Sequence, residues 1–364
     1  MRIAYVINHQ IWRNDGVTKK IAVQSGTWRT MGHEVEVFCI TRKVGDSILS
    51  ARQYHLGNPA IGRLRVDLQL VHDLDKYNPD IVYLRYDIWS ATLDRVITRY
   101  KTVAELNSLD VEEYRLLMIK EKSVKSLLRY LTYVMLRGRM FRNFAGAVGV
   151  THEIAAASSV ARFSLPRIVV PNGINLVKYA TVARSSGGDD SVRLFFIATP
   201  GQPWHGVDFI VDLAHGLPNF EFHIVGIDGD SSVKNIFWHG YLDQAEYIDV
   251  LARCHICIGS LALFRNGMQE ACPLKVREYL AYGFPVIVGY ADTAFTNVPL
   301  PDFIWKIDLE KTGVTKDVIQ SVQDFCVRLK NRVVLSDELS MIDADRLEYK
   351  RLAFLKDVAG ALPP

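Results

Sequence analysis

Apolar runs of the β type alternate with helical patterns along nearly all of the 364 residues. The first run, RIAYVIN, is followed by VTKKIAVQSGTWRTMG, with apolar positions at helical spacing, and then by HEVEVFCIT. Strand, helix and strand in that order make a parallel crossover, and repeating it predicts a sheet with helices on both faces. Further strands are predicted at DIVYLR, KTVAEL, GAVGVT and RIVVPNG. A polar stretch, ARSSGGDDS, has linker composition, and the pattern then restarts with VRLFFIAT, FEFHIVG, IFWHG, CHICIGSL and PVIVGY. The chain therefore reads as α/β, two tandem Rossmann-like doubly wound domains. Such sheets bind ligands at the carboxyl ends of their strands, which predicts an interdomain cleft. The expected boundaries are 1–170, 171–342 and 343–364. The last segment is an amphipathic helix with Leu347, Leu352, Phe354 and Leu355 among charged residues.

Composition narrows the class. Hydrophobic residues at 49% and charged residues at 23% are globular proportions. No segment reaches the roughly 18 uninterrupted apolar residues of a membrane span. The opening MRIAYVINHQIW lacks the apolar region and cleavage site of a signal peptide, so the expected location is the cytoplasm. Five cysteines are an odd number, and the C-x-x-C of Cys254 and Cys257 has no second pair to complete a zinc set.

Charge is divided unevenly. Residues 1–175 hold 25 Lys and Arg against 16 Asp and Glu, and the remainder holds 18 against 24. The segment from Tyr114 to Arg142 holds eight basic residues and one Glu, interleaved with Leu127, Leu128, Tyr130, Leu131, Tyr133, Val134, Met135, Leu136 and Phe141. A basic amphipathic helix suits an anionic membrane surface, which predicts a peripheral position on the inner face of the plasma membrane. A solvated helix face is the alternative, and no nucleic-acid-binding motif accompanies the charge.

Candidate chemistry concentrates in Met268–Val288, MQEACPLKVREYLAYGFPVIV. Glu270 and Glu278 are eight apart, and Pro273 breaks any continuous helix between them. The spacing predicts a loop through Pro273, then a helix from Leu274 to Tyr282 ended by Gly283. The free amides at that helix start suit a diphosphate, and Lys275 in its first turn opposes the helix dipole unless an anion binds there.

This block resembles the signature of family-4 retaining glycosyltransferases of the GT-B fold, in the variant P-L-K-x-x-E-Y-L-A-x-G-x-P-V. The resemblance implies that Glu270 contacts the donor sugar and Glu278 the ribose, with Pro273 and Leu274 beside the donor. Asn14-Asp15-Gly16-Val17 resembles the family's first glycine-rich loop, which implies that Gly16 approaches the donor or acceptor, although Asp15 replaces the usual first glycine. PNGINLVKY resembles the P-N-G-x-[DN] segment that opens the second domain. DIVYLRYD and AELNS resemble paired strand ends of the first domain, which implies acceptor-side roles for Arg85, Tyr86, Glu105 and Asn107. The family's terminal helix crosses back to the first domain.

One departure is chemical. The family's Arg and Lys phosphate pair is missing from the turn ATPGQPWHG, where Gln202-Pro203 follows Gly201 and His205 stands at the Lys position. A neutral histidine donates one hydrogen bond to a phosphate and a protonated one pairs with it. Lys275 is expected to supply the missing charge. Asp228-Gly-Asp230 matches a metal-binding triplet of the other large glycosyltransferase fold, but without that fold it reads as a loop. The implied reaction moves a hexose with retention from a nucleoside-diphosphate sugar, UDP being favoured and GDP the alternative. The implied acceptor is a carbohydrate or a lipid-linked acceptor in surface polysaccharide synthesis, and no metal or cofactor is expected. The alternatives are a nucleotide-sugar epimerase of the same architecture and a non-catalytic scaffold subunit.

Overall fold

The computed structural model describes residues 1–13, 15–57, 62–184, 191–230 and 232–360. Asn14 of the first glycine-rich loop and 185–190 of the linker stretch lie outside them. The chain divides into two compact units, Met1–Asn172 together with Ala344–Pro364, and Gly173–Asp343.

In the first unit the strands are β1 (Arg2–Asn8), β2 (Glu34–Thr41), β3 (Arg52–His55), β4 (Ile81–Arg85), β5 (Thr102–Leu106), β6 (Gly146–Gly149) and β7 (Arg167–Val169). Its helices are α1 (Gly16–Thr30), α2 (Leu68–Tyr77), α3 (Ala91–Arg99), α4 (Asp110–Glu121), α5 (Val124–Asn143), α6 (His152–Ala156) and α7 (Ser158–Ala161). All strands pair in parallel in the order β3-β2-β1-β4-β5-β6-β7. The central strands are mostly apolar because helices cover both faces. The polar RQYH forms edge strand β3, which the apolar pattern does not reveal. Helix starts follow local chemistry: Asp15, Asp67 and Ser90 each accept from the amide three residues on.

In the second unit the strands are β8 (Val192–Ile197), β9 (Phe220–Val225), β10 (Ile236–Trp238), β11 (Ile256–Ile258), β12 (Glu270–Ala271), β13 (Val286–Val288), β14 (Ala291–Asp292) and β15 (Ile304–Lys306). Between them run α8 (Val207–Gly216), α9 (Gln244–Leu251), α10 (Leu274–Ala281) and α11 (Lys316–Leu329). The main sheet is parallel in the order β10-β9-β8-β11-β13-β15, and β12 with β14 forms a separate two-stranded ladder. Cys254 and Cys257 are free thiols buried in this unit. Asp228 and Asp230 lie between β9 and β10, where Trp238 donates its indole N–H to the Asp230 carbonyl and Asp230 caps Ser232.

Helix α12 (Ala344–Gly360) returns to the first unit and closes its core with Leu347, Leu352, Leu355 and Val358. It also brings two buried charges. Glu105 has no exposed surface, and the Lys20 ammonium reaches its carboxylate at 2.7 Å, Arg85 at 3.3 Å and Arg351 at 3.8 Å. Burial alone would raise the Glu105 pKa, but Lys20, Arg85 and Arg351 hold it well below the carboxylate range. Glu348 accepts from Trp28 at 2.8 Å and pairs with Arg351 at 2.8 Å, and Arg351 donates to the Tyr83 hydroxyl at 3.0 Å. Among the described residues no helix is long and apolar enough to cross a membrane.

Arg351→Ala leaves two carboxylates buried without their shared cation, and the expected loss is about 3–5 kcal/mol. Tyr349→Ala on the same helix, at an exposed side chain, should change stability by about 0.5 kcal/mol or less. Urea unfolding of the two variants compares them, and coincident midpoints would show that the network adds no stability.

Candidate functional site

In the second unit the chain winds from β8 to β9 and β10 in one direction, then returns to lay β11, β13 and β15 on the other side of β8. Doubly wound sheets take ligands at such a switch point, off the carboxyl ends of the two central strands. Three segments stand there: the turn after β8, the segment after β11 and the start of α10.

The turn is held tightly. The carbonyls of Trp204 and His205 accept from Ala262 and Leu261 at 3.1 Å each. Gly206 has φ of +72°, and a Cβ there would sit 3.0 Å from Leu261 Cβ, so only glycine fits. Gly201, also at positive φ, turns the exposed part of the loop. Arg265 braces the turn from outside, donating to the Pro203 carbonyl at 3.1 Å and to both Asp208 oxygens at 2.8 and 2.6 Å.

His205 is buried, and its Nδ1 accepts from the Thr199 amide at 3.2 Å, which puts the ring proton on Nε2. Burial, with Lys275 nearby, pushes its pKa down to about 3. Of the two states considered for His205, the neutral one that donates a single hydrogen bond is the state at neutral pH, and the protonated phosphate partner is not.

Lys275 carries the charge. Its ammonium donates to the Ile197 carbonyl at 3.1 Å and lies 4.3 Å from the centre of the Phe196 ring, against which His205 packs edge-on. Among the described residues no carboxylate lies within 4 Å of it, and desolvation draws its pKa down to about 7. Helices α8 and α10 begin at Gly206 and Pro273, where no side chain caps the first turn. Gln202 adds a buried Oε1 without a partner, and Tyr290 a fully buried hydroxyl without one. An unpaired cation, uncapped helix starts and a histidine N–H on one side of a sheet form a site for an anion.

Glu278 faces outward from α10 and accepts from the Tyr179 hydroxyl at 3.2 Å and the Tyr247 hydroxyl at 3.3 Å. Glu270, buried, does not lie in a loop as expected but in β12, opposite Ala291 of β14. The reason is Arg277, which pairs with Asp292 at 2.6 and 2.7 Å with both side chains buried. That pair ties α10 to β14 and so fixes the strand carrying Glu270. Pro273 and Leu274 open α10.

The first-unit candidates fare differently. Gly16 is the exposed first residue of α1, and Asp15 caps that helix while accepting from His9 at 3.0 Å. Arg85 is half-buried, pairing with Glu105 and donating to the Asn107 side chain at 3.1 Å, and Lys20 reaches Asn107 at 3.0 Å. Glu105 is a correction: it has no exposed surface and serves the internal charge network. Tyr86 packs edge-on against Phe141, with its hydroxyl 3.5 Å from that of Tyr133. Sequence reasoning did not reach Arg265, Tyr179, Tyr247 or the Arg277–Asp292 pair. Each acts across a gap in sequence that no local spacing reports.

No model of a known family matches the sequence, and no curated protein matches it. Solved structures do. Sucrose-phosphate synthase from Thermosynechococcus elongatus superposes with a TM-score of 0.71 at 13% identity, covering 98% of each chain. The Anabaena protein Alr3699/HepE in complex with UDP and glucose gives 0.60 at 12% identity, covering 97% of this chain and 99% of that one. The apo lipopolysaccharide outer core galactosyltransferase WaaB gives 0.59 at 13%, over 98% of this chain and 100% of its own. Two Rossmann-like units of parallel sheet, matched over almost the whole chain by glycosyltransferase structures, identify the fold of this chain as GT-B.

Proposed function

We propose that the chain is a retaining, metal-independent hexosyltransferase whose second unit binds a UDP-sugar. The observation that carries the proposal is the Lys275 ammonium, desolvated and without a carboxylate, at the switch point of a nucleotide-binding type of sheet. A diphosphate is the anion that fits one cation, one imidazole N–H and the uncapped start of α10. In this reading Glu278 takes the ribose hydroxyls and Glu270 the sugar hydroxyls. The C1–O bond to the diphosphate breaks as a bond from C1 to the acceptor hydroxyl forms on the same face. The departing phosphate oxygen takes the acceptor's proton, so no protein nucleophile is required. Lys275 and the Nε2–H of His205 act by stabilising charge on the leaving diphosphate. Arg85 and Asn107 belong to the acceptor side, the acceptor being a carbohydrate or a lipid-linked one, handled at the inner face of a membrane.

A thermal-shift screen of nucleoside diphosphates and their sugars tests the class, since a ligand at a hundred times its Kd adds about 2.7 kcal/mol. No shift with any of them would overturn it.

The pH dependence follows from Lys275. Bound diphosphate raises its pKa above the free value of about 7, so binding takes up a proton above that pH. UDP affinity is therefore full below about pH 7 and falls as pH rises through it, by up to about tenfold per pH unit. Stability of the free protein runs the other way. A lysine lowered from about 10.4 in the unfolded chain makes the folded state more stable as pH rises between those values. Calorimetry across pH should show the affinity slope in wild type and none in Lys275→Met. A slope that survives the substitution would assign it elsewhere, though not to His205, which stays neutral.

The two glutamates should separate. Glu278→Gln should weaken UDP binding by about 1–3 kcal/mol. Glu270→Ala should leave UDP binding nearly intact and collapse transfer, because a sugar contact that strengthens in the transition state acts on turnover. UDP affinity and turnover of both variants decide it: equal loss of UDP in the two would dissolve the assignment.

A further inference from the structure

Helix α4 has no buried residue at all. It is held to the first unit through α5, by Tyr114 stacked on Tyr133 at 3.8 Å and by Asp110 bonded to Tyr133 and Arg137. The face this leaves is apolar. On α5, Val124, Leu128, Leu131 and Met135 fall at helical spacing on one stripe and are 75, 59, 53 and 67% exposed. Leu116, Leu117 and Ile119 of α4 are exposed as well, as are Leu64 and Leu68. The first turn of α4 is acidic, and its Glu112 pairs with Arg115 at 2.7 Å. From Arg115 onward the charge is basic: Lys120, Lys122, Lys125, Arg129 and Arg142 are exposed, against Glu121, which pairs with Arg129.

Beside the stripe lies a cavity of about 480 Å³, lined by Arg63, Trp89, Tyr114, Leu128, Arg129 and Leu136 among others. Arg63 is the unusual member. Its Nε is buried without a hydrogen-bond partner, and among the described residues no carboxylate pairs with its guanidinium. Leaving a guanidinium N–H unsatisfied costs free energy that an anionic oxygen would recover.

We propose that this face docks on an anionic phospholipid bilayer, the leucine stripe entering the interface while the Arg63 cavity takes the phosphate of one lipid and the start of its acyl chain. Exposed aliphatic side chains ringed by lysine and arginine match the boundary between acyl chains and acidic headgroups. The same features disfavour other occupants. Single-stranded nucleic acid needs exposed aromatic rings to stack its bases, and the exposed apolar side chains of the hairpin are aliphatic. A second copy would bring two like-charged faces together. The link from this surface to a lipid-linked acceptor rests on the glycosyltransferase reading, whereas docking can be measured without turnover.

The test is flotation of the full chain with vesicles of phosphatidylcholine alone, or of phosphatidylcholine mixed with phosphatidylglycerol. The chain should float with the mixed vesicles and not the neutral ones, and should release as salt screens the headgroups. The double substitution Leu131→Glu with Met135→Glu, at exposed positions that the fold does not use, should weaken partition about tenfold or more. Arg63→Met should weaken it about fivefold, the loss expected for one basic group at an acidic surface. UDP calorimetry accompanies every variant. Lost flotation with UDP binding retained supports docking. Intact flotation without UDP binding in any form overturns the donor reading and leaves docking supported. Absent flotation of wild type, or equal flotation by the double variant, overturns docking. So does a wild-type dimer that the double variant dissolves, since a second copy would then own the face.

Discussion

A carboxylate without exposed surface, that of Glu105, gathers three cations: the buried Lys20 and Arg351 and the half-buried Arg85. A lone carboxylate in that position would be expelled or protonated, and the cations delivered by α1, β4 and α12 are what keep the glutamate of β5 ionised. Burial lowers the Lys20 pKa to about 8, and Glu105 is what keeps that group charged at neutral pH. The apolar core tolerates small adjustments, but few arrangements bring all the members of this cluster into contact. It therefore specifies how α12 lies against the sheet more sharply than Leu352 and Leu355 do, since two leucines would accept many registers.

The second unit uses the opposite arrangement. Its Arg277 is fully matched by Asp292, and that match serves geometry by fixing β14 and, through it, Glu270. Lys275, two residues earlier on the same helix, is left unmatched beside an aromatic ring. One helix thus carries a satisfied cation on its inner side and an unsatisfied one at its start. The first stabilises the fold, and the second is a cost that the proposed diphosphate would offset.

The strands RIAYVIN, FEFHIVG and PVIVGY were readable because central parallel strands are apolar on both faces, which is a local property of the chain. Edge strand β3, with its polar RQYH, was not, because half of its backbone pairing and most of its side chains meet solvent. The break of the helix at Pro273 and its end near Gly283 were likewise local and legible. Partners were not. Nothing near Glu105 in sequence says that Arg351 will reach it across 246 positions, so its burial and its role could not be foreseen. His205 shows the same limit from another side: its position was evident, but its charge depends on how much water the fold removes.

The first unit is completed by residues that follow the whole of the second. A ribosome finishes β1 to β7 long before it reaches Leu347, and until then Lys20 and Arg85 hold Glu105 without Arg351. Trp28, meanwhile, has no Glu348 to bond. The nascent first unit must wait, incompletely closed, while some 170 residues of the second unit are made. A nonsense codon near position 343 would therefore spare every residue of the second unit and disable the first, although the lost codons lie at the far end of the message.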